Sequence, residues 1–243
     1  LARRLRQARQ REAPILLLLA LGAGSFDALC YLGLHDVFPA NMTGNTVLLA
    51  VAVARGSGWE AARSAAALGG FAVGVACATL LMPRHFRRWP RGAARVLALE
   101  ATILLAMLVW WLAVGVPAVR YWLIVLAGGA MGVQSAAVYN SHVNGVTTTY
   151  MTGTYMKAIV RAVYHLRRIP HTAHPHNLPG AAWVVYVAGA LIGALVEHAW
   201  HGWAVLIPLC LVGPTAIGAM VTRGEERELD GDHHDRPSPA GRR

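Results

Sequence analysis

One acid and two clusters of amide and hydroxyl side chains stand inside stretches that are otherwise apolar. Asp27 lies midway along the run Ile15–Leu34, flanked by Gly22, Gly24 and Ser25. The clusters are Asn41-Met42-Thr43-Gly44-Asn45 and Tyr150-Met151-Thr152-Gly153-Thr154. A carboxylate in hydrocarbon is costly, so it must be protonated, paired or hydrated. Such an acid either serves a proton or ion pathway or bonds a neighbouring helix. Thr43 and Asn45, and in the second cluster Thr152 and Thr154, are of the types that cap helix starts. Gly44 and Gly153 permit a break or a close backbone approach. A helix N-terminus presents free N–H groups and partial positive charge, which suits an anion, a carboxylate or a polar solute. The plainer role of these residues is to satisfy broken backbone inside a packed bundle. Asn41, Asn140 and Asn144 extend the polar surface and share that ambiguity.

The elements that must position these groups are membrane helices. The chain has 243 residues, of which 56% are hydrophobic and 14% charged, where a soluble domain carries about 25% charged residues. Mean hydropathy is +0.43. Apolar runs recur at Ile15–Leu34, Ala65–Met82, Ala101–Val119, Trp122–Val133, Ala181–Val196 and Ala204–Met220. Most approach the roughly 20 residues that cross a bilayer as helix. Arg3, Arg4, Arg6, Arg9 and Arg11 precede Pro14, but the run that follows is long and has no clear small-residue cleavage site, so no cleaved signal is expected. The net charge of +10 sits between hydrophobic spans, where the orientation rule for membrane loops accounts for it better than nucleic acid does. Cys30, Cys77 and Cys210 lie singly in apolar spans and read as small core residues without disulfide or metal spacing.

The two halves of the chain resemble each other. Gly24 to Tyr31 aligns with Gly132 to Tyr139 at an offset of 108, which sets Ser135, beside Gln134, against Asp27. The Met-Thr-Gly motifs align at 109, and Gly70 and Gly74 align with Gly189 and Gly193 at 119. Order is preserved and the drift falls in loops, as an internal repeat requires. After the first motif only Thr46–Ala54 is free of charge, and Lys157 and Arg161 interrupt the second copy. Nine helical residues rise about 14 Å against a hydrocarbon core of about 30 Å. These segments are therefore expected as half-helices that re-enter. That arrangement puts Arg84, Arg87, Arg88, Arg91 and Arg95, the 157–179 loop and both termini in the cytoplasm, leaving Arg55, Arg63 and Arg120 outside.

The expected fold is an all-α polytopic bundle of six full spans plus two short or re-entrant half-helices, in an inverted three-plus-three repeat. Residues 1–13 form a basic cytoplasmic segment, 14–120 the first repeat, 121–222 the second, and 223–243 a disordered cytoplasmic tail. The competing arrangement is eight spans in a parallel four-plus-four repeat.

The remaining polar residues have bland readings. Glu100 reads as an interfacial ion-pair partner of the nearby arginines. Glu197, His198 and His201 read as a wet cap, since their order is not the His-Glu-x-x-His of zinc hydrolases. His171, His174 and His176, among Pro170, Pro175 and Pro179, read as a flexible loop, and no metal is assigned. Lys157 and Arg161 can snorkel to the interface or, facing a cavity, favour an anion. Trp110, Trp111, Trp122, Trp183, Trp200 and Trp203 read as interface anchors. Gly70/Gly74 and Gly189/Gly193 read first as packing notches within the chain, and second as the face of a homodimer.

Gly24-Ser25-Phe26-Asp27-Ala28, Tyr31-Leu32 and Phe38-Pro39-Ala40-Asn41-Met42-Thr43-Gly44-Asn45-Thr46 together resemble the YoaK family of bacterial multi-pass membrane proteins. Met151-Thr152-Gly153 also fits. The resemblance covers Pro14 to Thr222 and implies the bacterial inner membrane. It brings no substrate or catalytic residues. The second motif departs from the first by ending in Thr154 and by the charges that follow it.

No phosphate loop, nucleotide fingerprint or nucleophile–histidine–acid set is present, so neither an enzyme nor a cofactor is expected. The function expected is a transporter or channel in the lipid bilayer for a small polar or anionic solute. Its midplane site would be made by Asn41, Thr43, Asn45, Gln134, Ser135, Asn140, Asn144, Thr152 and Thr154, with Asp27 as coupling group. The rival is a non-transporting membrane subunit or sensor that binds a protein partner.

Overall fold

In hydrocarbon a backbone can bond only to itself, and runs of Leu, Ala, Val and Gly do so as helix. The computed structural model describes residues 2–82, 94–114, 116–139, 151–167 and 178–216. The elements are α1 (Ala2–Gly33), α2 (Met42–Ala54), α3 (Gly58–Leu81), α4 (Ala94–Val114), α5 (Val116–Tyr139), α6 (Met151–Leu166) and α7 (Leu178–Trp200). A further short apolar helix, α8 (Trp203–Ala216), opens with a 3-10 turn. No strand occurs among the described residues. Asn140, Asn144, the loop arginines Arg84 to Arg91, His171, His174, His176 and the tail from 223 lie outside the described residues.

Five helices are long and apolar enough to cross a membrane: α1 through Ala13–Gly33, α3, α4, α5 through Arg120–Tyr139, and α7. The sixth expected span is represented by α8, whose described part is short, its last residues 217–220 lying outside. The expected run Ala101–Val119 divides: α4 starts earlier, at Ala94, and stops at Val114, and α5 begins at Val116. Pro117 falls in the first turn of α5, where its missing N–H has no helical acceptor to lose.

The most extensive helix packing is in two pairs, α1 with α7 and α3 with α5. Each pair crosses where glycine lets backbones touch. A methyl group on Gly189 would collide with the Leu21 carbonyl and one on Gly193 with Ser25. In the second pair a methyl on Gly70 would strike Val125, and one on Gly74 would strike Gly129. Contact numbers rise together along both chains, so both pairs run parallel. Gly24 meets Tyr186 and Ala190, as Gly128 meets Ala67 and Phe71. The two crossings thus match at an offset of 104 between α1 and α5 (Leu21 to Val125, Ser25 to Gly129) and 119 between α3 and α7. The first value is one helical turn from the sequence alignment. Met131, not Ser135, occupies the place of Asp27, because backbone contact at the glycines sets the register more strictly than the Gly/Tyr pattern does. These notches are filled within the chain, as the first reading of them held.

α2 packs on α3 and α6 on α7, while α4 lies against α5. Trp111 is not an interface anchor. It is buried, its ring filling the space left by Gly33 and Gly202 at the end of α4. Cys30 is core, whereas Cys77 and Cys210 are exposed on the outer faces of their helices. Trp183 stacks on Tyr155 at 4.8 Å and so ties α7 to α6.

Candidate functional site

Eight residues separate α1 from α2, and they fold back along α1. Asp36 N–H donates to the Tyr31 carbonyl at 3.0 Å, and the Tyr31 and Phe38 rings stack at 4.9 Å. His35 and Asp36 adopt left-handed backbone (φ 62° and 61°) to make the turn. For non-glycine residues this costs about 1–2 kcal/mol each, so the surrounding contacts must hold it. The return brings Ala40 level with Asp27, which lies about 9 Å before the end of α1 at 1.5 Å per residue.

There the buried Asp27 carboxylate receives two bonds. Ala40 N–H donates to Oδ1 at 2.7 Å, and the Tyr186 hydroxyl of α7 donates to Oδ2 at 2.5 Å. Of the two readings of Asp27, its contacts include the structural one, a bond to a neighbouring helix. Asn45 extends the same polar chain. It is fully buried, its Oδ1 accepts from Phe38 N–H at 3.1 Å, and its Nδ2 donates to the Phe38 carbonyl at 2.7 Å.

The capping residue of α2 is Asn41, not Thr43 or Asn45. Its Oδ1 accepts from Gly44 N–H at 3.2 Å, because α2 starts at Met42 and the third helical N–H is the one an N-cap side chain reaches. A Cβ on Gly44 would stand 3.0 Å from the Asn41 amide, which explains glycine there. Gly153 has open space around it and makes no close approach. Thr152 and Thr154 lie inside α6, which begins at Met151, so neither holds the N-cap position. Thr43 and Thr152 are exposed, whereas Asn45 and Thr154 are buried. The fifth motif position, not the third, faces the interior in both copies. Replacing Asn41 by Ala is expected to cost about 0.5–2 kcal/mol, measured as a lower midpoint of SDS-induced unfolding.

Gln134 donates from Nε2 to the Leu19 carbonyl at 3.3 Å, bonding α5 to α1, and Ser135 bonds back to Met131 O at 2.6 Å. Lys157 is exposed and Arg161 half-buried. α2 and α6 are held on different helices, α3 and α7, so the two motifs are not packed together as extensively as either is on its own partner.

The sequence reading missed Tyr186, Arg63 and the burial of Glu100. Glu100 is not at an exposed interface: it is wholly buried on α4, and among the described residues, which do not include Arg84 to Arg91, neither carboxylate oxygen has a hydrogen-bond partner. A buried acid without partners destabilises, so Glu100→Leu is expected to raise stability by about 1–3 kcal/mol, read as a higher melting midpoint in detergent. Glu197 acts as a cap, its Oε2 accepting from Gly202 N–H at 2.7 Å where the chain turns at φ 71°.

Beside the returning loop lies a cavity of about 370 Å³. Its walls are Tyr31 at the end of α1, loop residues 35–38, Leu48, Val51 and Arg55 of α2, and Glu60, Arg63 and Ser64 of α3. Arg63 is 5% exposed and sits 4.0 Å over the Trp59 ring. Among the described residues its Nε and Nη1 have no hydrogen-bond partner. The one sequence signal for this arrangement was the four-residue spacing of Trp59 and Arg63, which stacks them on one helix face.

A helical bundle with several membrane-length apolar helices and an acid bonded in its interior is a multi-pass membrane protein. The chain belongs to the family described as Protein of unknown function (DUF1275), which matches residues 15–218. It is 34% identical over 214 residues to the UPF0700 transmembrane protein YoaK of Bacillus subtilis (strain 168), covering 86% of this chain and 92% of that protein. The resemblance read from the Ala-Asn-Met-Thr-Gly-Asn string is therefore correct. No solved structure matches the chain.

Proposed function

We propose that this protein is a transporter or channel for a small polar or anionic solute, not an enzyme, and that it works as an inverted repeat in the bacterial cytoplasmic membrane with both termini in the cytoplasm. The observation that carries this reading is the cavity wall. Tyr31, at the end of α1, and Arg55, just past the end of α2, line one space. Ala40, two residues before α2, is bonded to Asp27, about 9 Å before the end of α1 at 1.5 Å per residue. A half-helix that begins inside and ends at the face where the preceding span emerged is a re-entrant element, as transporter repeats use at their solute sites.

The same wall supports inversion. α3 starts at that face with Glu60 and Arg63, and α5 runs parallel to α3, so α5 runs opposite to α1. Arg55, Arg63 and Arg120 then mark the outer side, as the positive-inside rule prefers.

In this mechanism solute enters beside α2, and movement of the loop uncovers the Asn45 amide, otherwise bonded to Phe38, together with the N-terminal turn of α2. Thr154 offers the corresponding group from the other repeat. Asp27 holds the loop to α7, and a change in the protonation of its carboxyl weakens these bonds and frees the loop to move, so Asp27 gates the path and Asp27→Asn, which cannot titrate, keeps it shut. The test is flux into proteoliposomes. In a protein that carries solute, Asn45→Ala and Asp27→Asn are each expected to lower flux at least tenfold with the folded fraction preserved. Unchanged flux in both would reject the assigned roles.

A further inference from the structure

We propose that the cavity between the α1–α2 loop and the start of α3 binds a small zwitterion of amino-acid type. Arg63 would take the carboxylate, Asp36 and Glu60 the ammonium group, and Leu48, Val51 and the stacked Tyr31–Phe38 pair an apolar side chain.

The Arg63 guanidinium is the anchor. It is buried and held over the Trp59 ring, yet among the described residues Nε and Nη1 lack partners. Buried donors without acceptors are costly, and a carboxylate is the acceptor whose charge and planar shape match a guanidinium best. Asp36 and Glu60 act on Arg63 through their charges but bond neither nitrogen.

Charge balance selects the ligand class. The walls hold two arginines, Arg55 and Arg63, and two acids, Asp36 and Glu60. Desolvation, then the charges of Arg120 and Arg63, hold the His35 imidazole below its ordinary pKa against the opposing charge of Asp36, and Arg120 acts on Arg63 as well. A simple anion would meet the two acids and a simple cation the two arginines. A molecule carrying both charges meets neither penalty. Apart from Ser64 the rest of the wall is apolar or aromatic, and the volume is that of a small-molecule site. The left-handed backbone of His35 and Asp36 places an acid at this wall at a conformational cost.

Occupancy of this cavity goes beyond the transport reading and does not depend on it. The test is calorimetric titration of the full chain in detergent with leucine, with 4-methylpentanoate, which lacks the ammonium group, and with 3-methylbutylamine, which lacks the carboxylate. Leucine is expected to bind saturably, and each analogue at least tenfold more weakly. Arg63→Gln should weaken leucine at least tenfold. Val51→Trp, which fills the cavity from an exposed helix face, should do the same if Arg63→Gln fails to fold. Absence of leucine binding, an analogue that equals leucine, or a folded Arg63→Gln protein with unchanged affinity overturns the proposal. Leucine binding without leucine flux in proteoliposomes would uphold the site and show that its occupant is not the transported solute, so failure of the site and failure of the transport reading are distinct.

Discussion

Asp27→Leu should destabilise the protein by about 2–6 kcal/mol, since it leaves one buried and one half-buried donor, each worth about 1–3 kcal/mol, without an acceptor. The Ala40 N–H and the Tyr186 hydroxyl both end on this carboxylate, at 2.7 Å and 2.5 Å. Asp27 is 3% exposed and Ala40 is buried, while Tyr186 is half-buried. Asp27→Asn keeps an acceptor for Ala40 and presents an amide that the tyrosine oxygen can accept, so it should cost much less. Tyr186→Phe leaves one carboxylate oxygen unbonded and should fall between them. Combining Tyr186→Phe with Asp27→Asn should cost less than the sum of the two, with a coupling of about 0.5–3 kcal/mol. The measurement is SDS-induced unfolding of each variant, with hydrogen exchange at Ala40 as the local readout. Protection of that amide should disappear in Asp27→Leu and persist in Asp27→Asn.

A larger effect is expected at the glycine crossings. Gly74→Leu and Gly193→Leu should abolish the folded state, because the obstruction is backbone of the facing helix and no side-chain rotation removes it. Even alanine there should cost about 1–3 kcal/mol, the usual penalty for overpacking. The control is one residue away. Gly69 has nothing within 4 Å, so Gly69→Ala should gain up to about 1 kcal/mol of helix propensity. Opposite signs at Gly69 and at Gly70, whose added methyl would strike Val125, distinguish a backbone crossing from a general intolerance of bulk. Yield of monodisperse protein in detergent and its melting midpoint read both outcomes.

The helices were legible in the sequence because hydrocarbon leaves one solution for an apolar backbone, and Gly70/Gly74 and Gly189/Gly193 announced where two of them would touch. Asp27 was legible as an interior acid, but its partners were not. Tyr186 sits in an apolar span like any aromatic, and Ala40 contributes only a backbone N–H, which no residue type signals. Asn45 was singled out correctly as polar and interior, yet assigned to capping, because the start of α2 was placed after the motif and not at Met42. Glu100 was misread since proximity in sequence to an arginine-rich loop says nothing about which side of α4 the acid faces. Arg63 was counted only as a topology marker. Its burial depends on the loop between α1 and α2 folding back, and that fold-back rests on two left-handed residues that no periodicity predicts.

In the proposed topology the loop from residue 34 and α2 together leave and regain the same face of the membrane. Impermeant maleimide labelling of intact cells tests it, using Arg55→Cys and His201→Cys separately in a chain whose Cys30, Cys77 and Cys210 have been replaced. His201 follows α7, which runs parallel to α1 and so reports the face at which α1 ends. Labelling of both positions from the outside, with Arg167→Cys reacting only after permeabilisation, is the expected result. Reaction of Arg55→Cys and His201→Cys from opposite sides would mean that α2 crosses, and would contradict the account.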